Sequence, residues 1–216
     1  MLDIDIVLVV IILANVIVSL IGFRDFSFFE RYKFNIGGIR RGEQLRMIAS
    51  GFLHADQMHL FFNMFTLYFF APVVIDSLDN LKFLVVYFSS LLVGSLFSLF
   101  FHKNEYHYSA VGASGAVSGI LFSAILFQPT MKLYLMFIPI PIPAYIFGIG
   151  YLLYSIYGMK KRVSNIGHDA HFGGAVGGYV FTLMLAPYLF KDSLLMIVLL
   201  AIPIIILFVM KRLGKL

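Results

Sequence analysis

The chain has no cysteine among its 216 residues, which excludes disulfides, thiol nucleophiles and cysteine-ligated metal together. It is also poor in charge: Asp, Glu, Lys and Arg make up 12%, against 61% hydrophobic residues. A soluble domain of that composition would leave large apolar areas in water, so the chain reads as a polytopic membrane protein. No linker, low-complexity tract or sequence repeat interrupts it. Residues 1–216 are therefore expected to form a single membrane domain, with its core over about 4–190 and an extra C-terminal span over about 194–210. No His-Glu-x-x-His occurs, and the histidines lack a carboxylate partner at ligand spacing, which argues against a metal site. The net charge of +5 is scattered through loops without a soluble scaffold, a pattern that suits lipid headgroups and not nucleic acid.

What the chain does have is a series of apolar runs long enough to cross about 30 Å of hydrocarbon at about 1.5 Å per residue. The first covers residues 4–21; Asp3 and Asp5 before it argue against a cleavable signal peptide with a basic start. Residues 22–46 mix phenylalanine with arginine and lysine, as a segment lying in the membrane interface would. Further helices are expected over 56–75, 81–101, 113–127, 133–157 and 169–190. In the fifth of the six, Pro139, Pro141 and Pro143 make the first part irregular or kinked. A last run, 194–210, follows Lys191-Asp192 as a seventh span. The expected fold is an all-α bundle of six helices plus this one.

In an up-and-down arrangement, the starts of the second, fourth and sixth helices share one side of the membrane. That brings together Ser114, His171 and the pair His59 and Asn63. Polar side chains within spans are costly and default to functional sites. Residues four apart on a helix share a face, so His59 and Asn63 point to one place. Gly115 and Gly119 on the fourth helix, with Gly174 and Gly178 on the sixth, allow close backbone approach. The glycines would bring the His171 ring within hydrogen-bond reach of Ser114, where a neutral imidazole takes the proton of a poor nucleophile. Asn63 and His59, with the backbone amides of Ala113 and Ser114, would stabilise the oxyanion. Asp169, two residues from His171, points away from it, and no catalytic carboxylate is assigned. His102 and His107 flank the loop before Ser114 and are expected to be solvated.

Gly112-Ala113-Ser114-Gly115, His59-Leu60-Phe61-Phe62-Asn63 and Ala170-His171-Phe172-Gly173-Gly174 resemble the three signature motifs of rhomboid intramembrane serine proteases, in that family's order. The resemblance implies a six-helix rhomboid core and a Ser114–His171 dyad, with His59 and Asn63 at the oxyanion. It also implies an endopeptidase that needs no cofactor, whose partners are transmembrane protein substrates and the bilayer. His54 resembles a family histidine that supports the loop. Two departures stand out: there is no tryptophan for the Trp-Arg signature of the first loop, and Ser118 replaces an aromatic that packs on the catalytic histidine, so another group must orient His171. The resemblance implies a multi-pass protein, as of a bacterial inner membrane, with its site facing outside. The positive-inside rule points the other way, since the basic residues crowd the active-site loops, Lys160, Lys161 and Arg162 among them. The alternatives are a catalytically silent rhomboid-like protein that binds membrane clients, and a small transporter.

Overall fold

The computed structural model describes residues 5–135, 138–161 and 167–216. Asp3, Ile4 and Arg162 lie outside the described residues. Aspartate side chains cap three of the long helices, the first and two later ones. Asp5 accepts from the Val7 amide at 2.7 Å to cap α1 (Ile6–Arg24), and Asp25 caps the short α2 (Phe26–Tyr32). α2 buries none of its residues, and Phe26 is 75% exposed, which fits the interfacial placement expected of this stretch. β1 (Phe34–Asn35), α3 (Ile36–Arg40), α4 (Arg46–Ala49) and a 3₁₀ turn (Ser50–Phe52) complete the first connection.

Asp56 then caps α5 (Gln57–Leu78), and Asp79 closes α5 and caps α6 (Asn80–Phe101). The connection that follows contains β2 (Ser109–Ala110), which pairs antiparallel with β1, Phe34 opposite Ala110. This ribbon ties the first connection to the residues just before Ser114. Next come α7 (Ser114–Phe127), β3 (Lys132–Leu135), β4 (Ile138–Pro143), α8 (Ala144–Lys161), α9 (His168–Leu185), α10 (Leu189–Asp192) and α11 (Leu194–Arg212).

Among the described residues α1, α5, α6 and α11 are each long and apolar enough to cross a membrane. α7 has 14 residues, so it is only about 21 Å long, and every residue from Gly115 to Leu126 is buried. It is the central post of the bundle, surrounded by α5, α6, α8 and α9. A post of that length is shorter than the hydrocarbon layer, so its two ends cannot both reach the membrane surfaces. The six-plus-one arrangement is the expected one, with α11 lying along α8 and accepting a hydrogen bond at the Ile197 carbonyl from Tyr179 of α9.

One expected element is different. The helix expected over 133–157 starts only at Ala144; before it, β3 and β4 form an antiparallel hairpin with Lys132 opposite Pro143 and Leu133 opposite Ile142. Alternate prolines at 139, 141 and 143 have no N–H to donate and cannot continue a helix, while an edge strand tolerates them.

The tightest packing joins α6, α7 and α9. A Cβ on Gly174 or Gly178 would overlap the backbone carbonyl of Gly115 or Gly119 respectively, so these helices touch backbone to backbone. α6 joins the same contact through Gly94, where a Cβ would come to 2.7 Å from the Ala170 carbonyl, and through Ser90 against Gly177. Ser90, Gly94 and Ser98 recur every four residues, the same small-residue signal as on α7 and α9.

Candidate active site

The turn that delivers Ser114 depends on Gly112, whose φ of 128° lies in the left-handed region where side chains are strained. A Cβ there would come to 2.7 Å from His59 Cε1 and 3.6 Å from Ser114 Oγ. The missing side chain thus also lets the His59 ring lie against the turn before Ser114.

Hydrogen bonds fix that turn from behind. Gly112 donates its amide to the Ser50 carbonyl at 3.0 Å, and Ala113 donates to His54 Nε2 at 3.3 Å. With Nε2 accepting, the proton of neutral His54 sits on Nδ1, which donates to Ser19 Oγ at 2.8 Å; Ser19 in turn donates to the Phe52 carbonyl at 2.9 Å. One chain of bonds therefore runs from α1 to the residue before Ser114. Burial, with a smaller contribution from nearby His59, pushes the His54 pKa down to about 3. The unfolded ring takes a proton near pH 6.5 and the folded one does not, so stability is full above about 6.5 and falls as pH drops toward 3. By pH 5 the loss is about 2 kcal/mol. Thermal melts in detergent across this range should show it, and His54→Gln, which keeps an acceptor and a donor without titrating, should flatten the acid side.

Of the two backbone amides expected at the oxyanion, Ala113's is thus already committed to His54. Among the described residues no hydrogen bond outside the helices engages Ser114's amide, as befits the open first turn of a helix. On α5, the His59 ring receives the Ala55 amide at Nδ1 (3.5 Å), which leaves Nε2 to carry its proton, on the side of the ring nearest Gly112. Asn63 is buried and gives one N–H to the His59 carbonyl at 2.9 Å, leaving the other free to donate.

Ser114 and His171 are both partly exposed, while their neighbours Gly115 and Gly174 meet in the α7–α9 contact. Among the described residues no hydrogen bond joins Ser114 to His171. The backbones are in contact, and the side chains have not closed on each other. Catalytic hydrogen bonds are often long in the absence of substrate.

Tyr151 of α8 was missed in the sequence. Its ring stacks on His171 with centroids 6.2 Å apart and planes at 11°, and its hydroxyl bonds Ser118 Oγ at 2.7 Å. Ser118 lies one turn after Ser114; a serine inside an apolar span needs a partner, and that was the available signal. Asp169 does turn away from His171. It meets the Tyr108 hydroxyl at 3.4 Å and His102 Nε2 at 3.5 Å. His102 is therefore not solvated as expected: it lies between Asp169, Glu105 and the flat face of Tyr108, whereas His107 is exposed.

The Rhomboid domain family model matches residues 41–188. The mitochondrial RHOMBOID-like protein 12 of Arabidopsis thaliana is 31% identical over 189 residues, covering 80% of this chain and 56% of that protein. The mitochondrial Rhomboid protein 1 of Saccharomyces cerevisiae is 29% identical over 141 residues, 64% of this chain and 41% of that one. The putative rhomboid protease YdcA of Bacillus subtilis is 37% identical over 91 residues, 42% of this chain and 44% of that one. The chain spans about half the length of these relatives. They come from mitochondria as well as from a bacterium, so the similarity carries an integral multi-pass membrane protein and does not carry the expected bacterial inner membrane. With three motifs on three touching helices and a family match over most of its length, the chain belongs to the rhomboid family.

Proposed function

We propose that the chain is an intramembrane serine endopeptidase that cleaves transmembrane segments through a Ser114–His171 dyad. The observation that supports this reading is the backbone contact between α7 and α9 at Gly115 and Gly174, one residue after Ser114 and three after His171. In the reaction, Ser114 Oγ attacks the scissile carbonyl as His171 takes its proton. Asn63 Nδ2, His59 Nε2 and the Ser114 amide donate to the oxyanion. His171 then protonates the leaving amine, and water releases the acyl group from Ser114. A regular helix buries its carbonyls in its own hydrogen bonds, so the substrate segment must unwind where it is cut.

Tyr151 orients the base in this scheme. Tyr151→Leu should lower kcat about tenfold, through a misaligned proton transfer, and leave KM nearly unchanged. Tyr151→Phe, which keeps the ring and loses only the bond to Ser118, should fall between the two.

The site is assigned to the outer face. Part of the basic charge that argues otherwise is engaged inside the protein: Arg46 donates to the Glu30 and Lys33 carbonyls and pairs with Glu43, and Arg40 bonds the Tyr106 hydroxyl. Charges held this way are poor guides to topology.

A silent client-binding protein is the second reading, favoured by the missing Ser114–His171 hydrogen bond. Labelling of the purified protein by a fluorophosphonate probe separates the two. Covalent labelling of Ser114 supports the enzyme, and no labelling under conditions where a known rhomboid labels supports the silent form.

A further inference from the structure

Behind α9 lies a polar cluster that the reaction does not use. His102 follows the last turn of α6; its Nδ1 is 2.9 Å from Glu105 and its Nε2 is 3.5 Å from Asp169. Its ring stacks on Tyr108 at 3.6 Å, with planes 7° apart, and the Tyr108 hydroxyl also donates to Asp169. Asp169 is only 4% exposed, and among the described residues its second oxygen has no hydrogen-bond partner, nor does the buried Ser98 Oγ. A buried carboxylate with a half-satisfied head is costly, and an apolar pair of similar volume would often be the more stable choice. Stability alone is therefore a weak explanation for this cluster.

Its placement suggests another. Tyr108 is six residues before Ser114, in the connection that carries the nucleophile. Asp169 is two residues before His171, about 200° around the helix from it, so whatever holds Asp169 holds the first turn of α9 from the side opposite the base. We propose that His102 and Asp169 form a clamp that keeps the Ser114 connection and the His171 helix in register, making them positioning residues for the reaction. The inference rests on the dyad reading above. It concerns a soft variable, because no hydrogen bond between Ser114 and His171 fixes their separation.

The clamp also has a built-in pH limit. Protonated His102 donates from both nitrogens, one to each carboxylate; the neutral ring has a single N–H and must present a lone pair to the other. Partial burial disfavours its charge, but the hydrogen bonds and charges of Asp169 and Glu105 outweigh this and raise its pKa above the usual histidine value. A raised value means that the clamp is intact below about pH 6.5 and is lost as pH climbs through the folded value. The groups around the ring are Glu105 and Tyr108 from the connection, Asp169 from α9 and Ser98 one turn back on α6. Lys211 of α11 lies over the rings of Phe100 and Phe101 just before it, and His168 turns instead toward Gly158 and Tyr154 of α8.

The test compares wild type, His102→Gln, Asp169→Asn and the double variant, reconstituted with a cleavable transmembrane substrate between pH 5.5 and 9. Each single variant should lower kcat about tenfold at near-constant KM. The double variant should be no worse than the lower single, and the alkaline fall of wild-type kcat should be missing from His102→Gln. Hydrogen exchange is followed in parallel on the same proteins, since it needs no turnover. Faster exchange in His102→Gln should appear together in the segment before Ser114 and in the first turn of α9. Additive losses in kcat, an unchanged alkaline limb, or faster exchange on one side only would overturn the clamp. If wild type neither labels nor cleaves, the enzyme reading fails on its own, and coupled exchange across the two segments still decides whether they are clamped.

Discussion

Ser114→Ala and His171→Ala are each expected to abolish proteolysis, with kcat falling about 10⁵-fold or more, and the double variant should be no worse than either single one. The two groups act as a unit: without the base, the hydroxyl is a poor nucleophile, and without the hydroxyl, the base has no proton to move. What remains should come from the oxyanion donors acting on a water attack. The stabilities should differ from the activities. Ser114 Oγ makes no hydrogen bond in the described structure, so its loss should leave the melting temperature nearly unchanged. His171→Ala also removes the partner of the Tyr151 ring, and should cost a few degrees while leaving the protein folded. Cleavage of a reconstituted transmembrane substrate, read beside thermal melts, checks both. Turnover surviving in purified Ser114→Ala would remove the serine from the mechanism. Loss of activity accompanied by unfolding would assign the effect to the fold.

The glycine contact was legible because each half of it depends on residues close together in sequence, as does the placing of His59 and Asn63 on one face of α5. His59 and Asn63 are four apart on one helix; Gly115 with Gly119, and Gly174 with Gly178, repeat at the same interval. Such spacings survive without coordinates. The strands Lys132–Leu135 and Ile138–Pro143 stand where a helix is expected because an apolar run has no period that tells a buried strand from a helix, and three prolines mark the end of one element as readily as a kink within it. Ser90, Gly94 and Ser98 on α6 carry the same four-residue spacing, and the packing shows that this helix joins the contact.

Other features could not be read at all. The β1–β2 ribbon is two residues long on each side and joins positions more than seventy apart, too little pattern to announce a pairing. The bond from Ala113 to His54 also joins residues far apart, 59 positions, and it alone takes up one of the expected oxyanion amides. The same applies to Tyr151. Ser118 in place of an aromatic showed that His171 needed another support, but only the approach of α8 says which ring supplies it.

Gly174→Ala is expected to collapse the site and much of the fold, while Gly115→Ala, one partner across the same contact, is expected to be tolerated. The asymmetry follows from what each new Cβ would meet. On Gly115 the nearest atoms are the Ala170 carbonyl oxygen at 3.4 Å and Gly94 Cα at 3.9 Å, ordinary contact distances. On Gly174 the new carbon would overlap the Gly115 carbonyl oxygen, carbonyl carbon and Cα, all backbone atoms that cannot swing aside as a side chain would. α7 and α9 would have to move apart. That separates the elements carrying Ser114 and His171, so activity should vanish even in any fraction that stays folded. Overpacking a dense core costs roughly 1–3 kcal/mol when side chains can adjust, and more is expected where the obstacle is backbone. Gly150→Ala on α8 is the control, because a Cβ there meets nothing within 4 Å, and the exchange should stabilise the helix by about 0.5–1 kcal/mol. Size-exclusion profiles and melting temperatures in detergent would rank the three variants. A folded, active Gly174→Ala would mean that these helices are farther apart in the membrane than they are here, and the glycine contact would no longer explain how the two reacting groups meet.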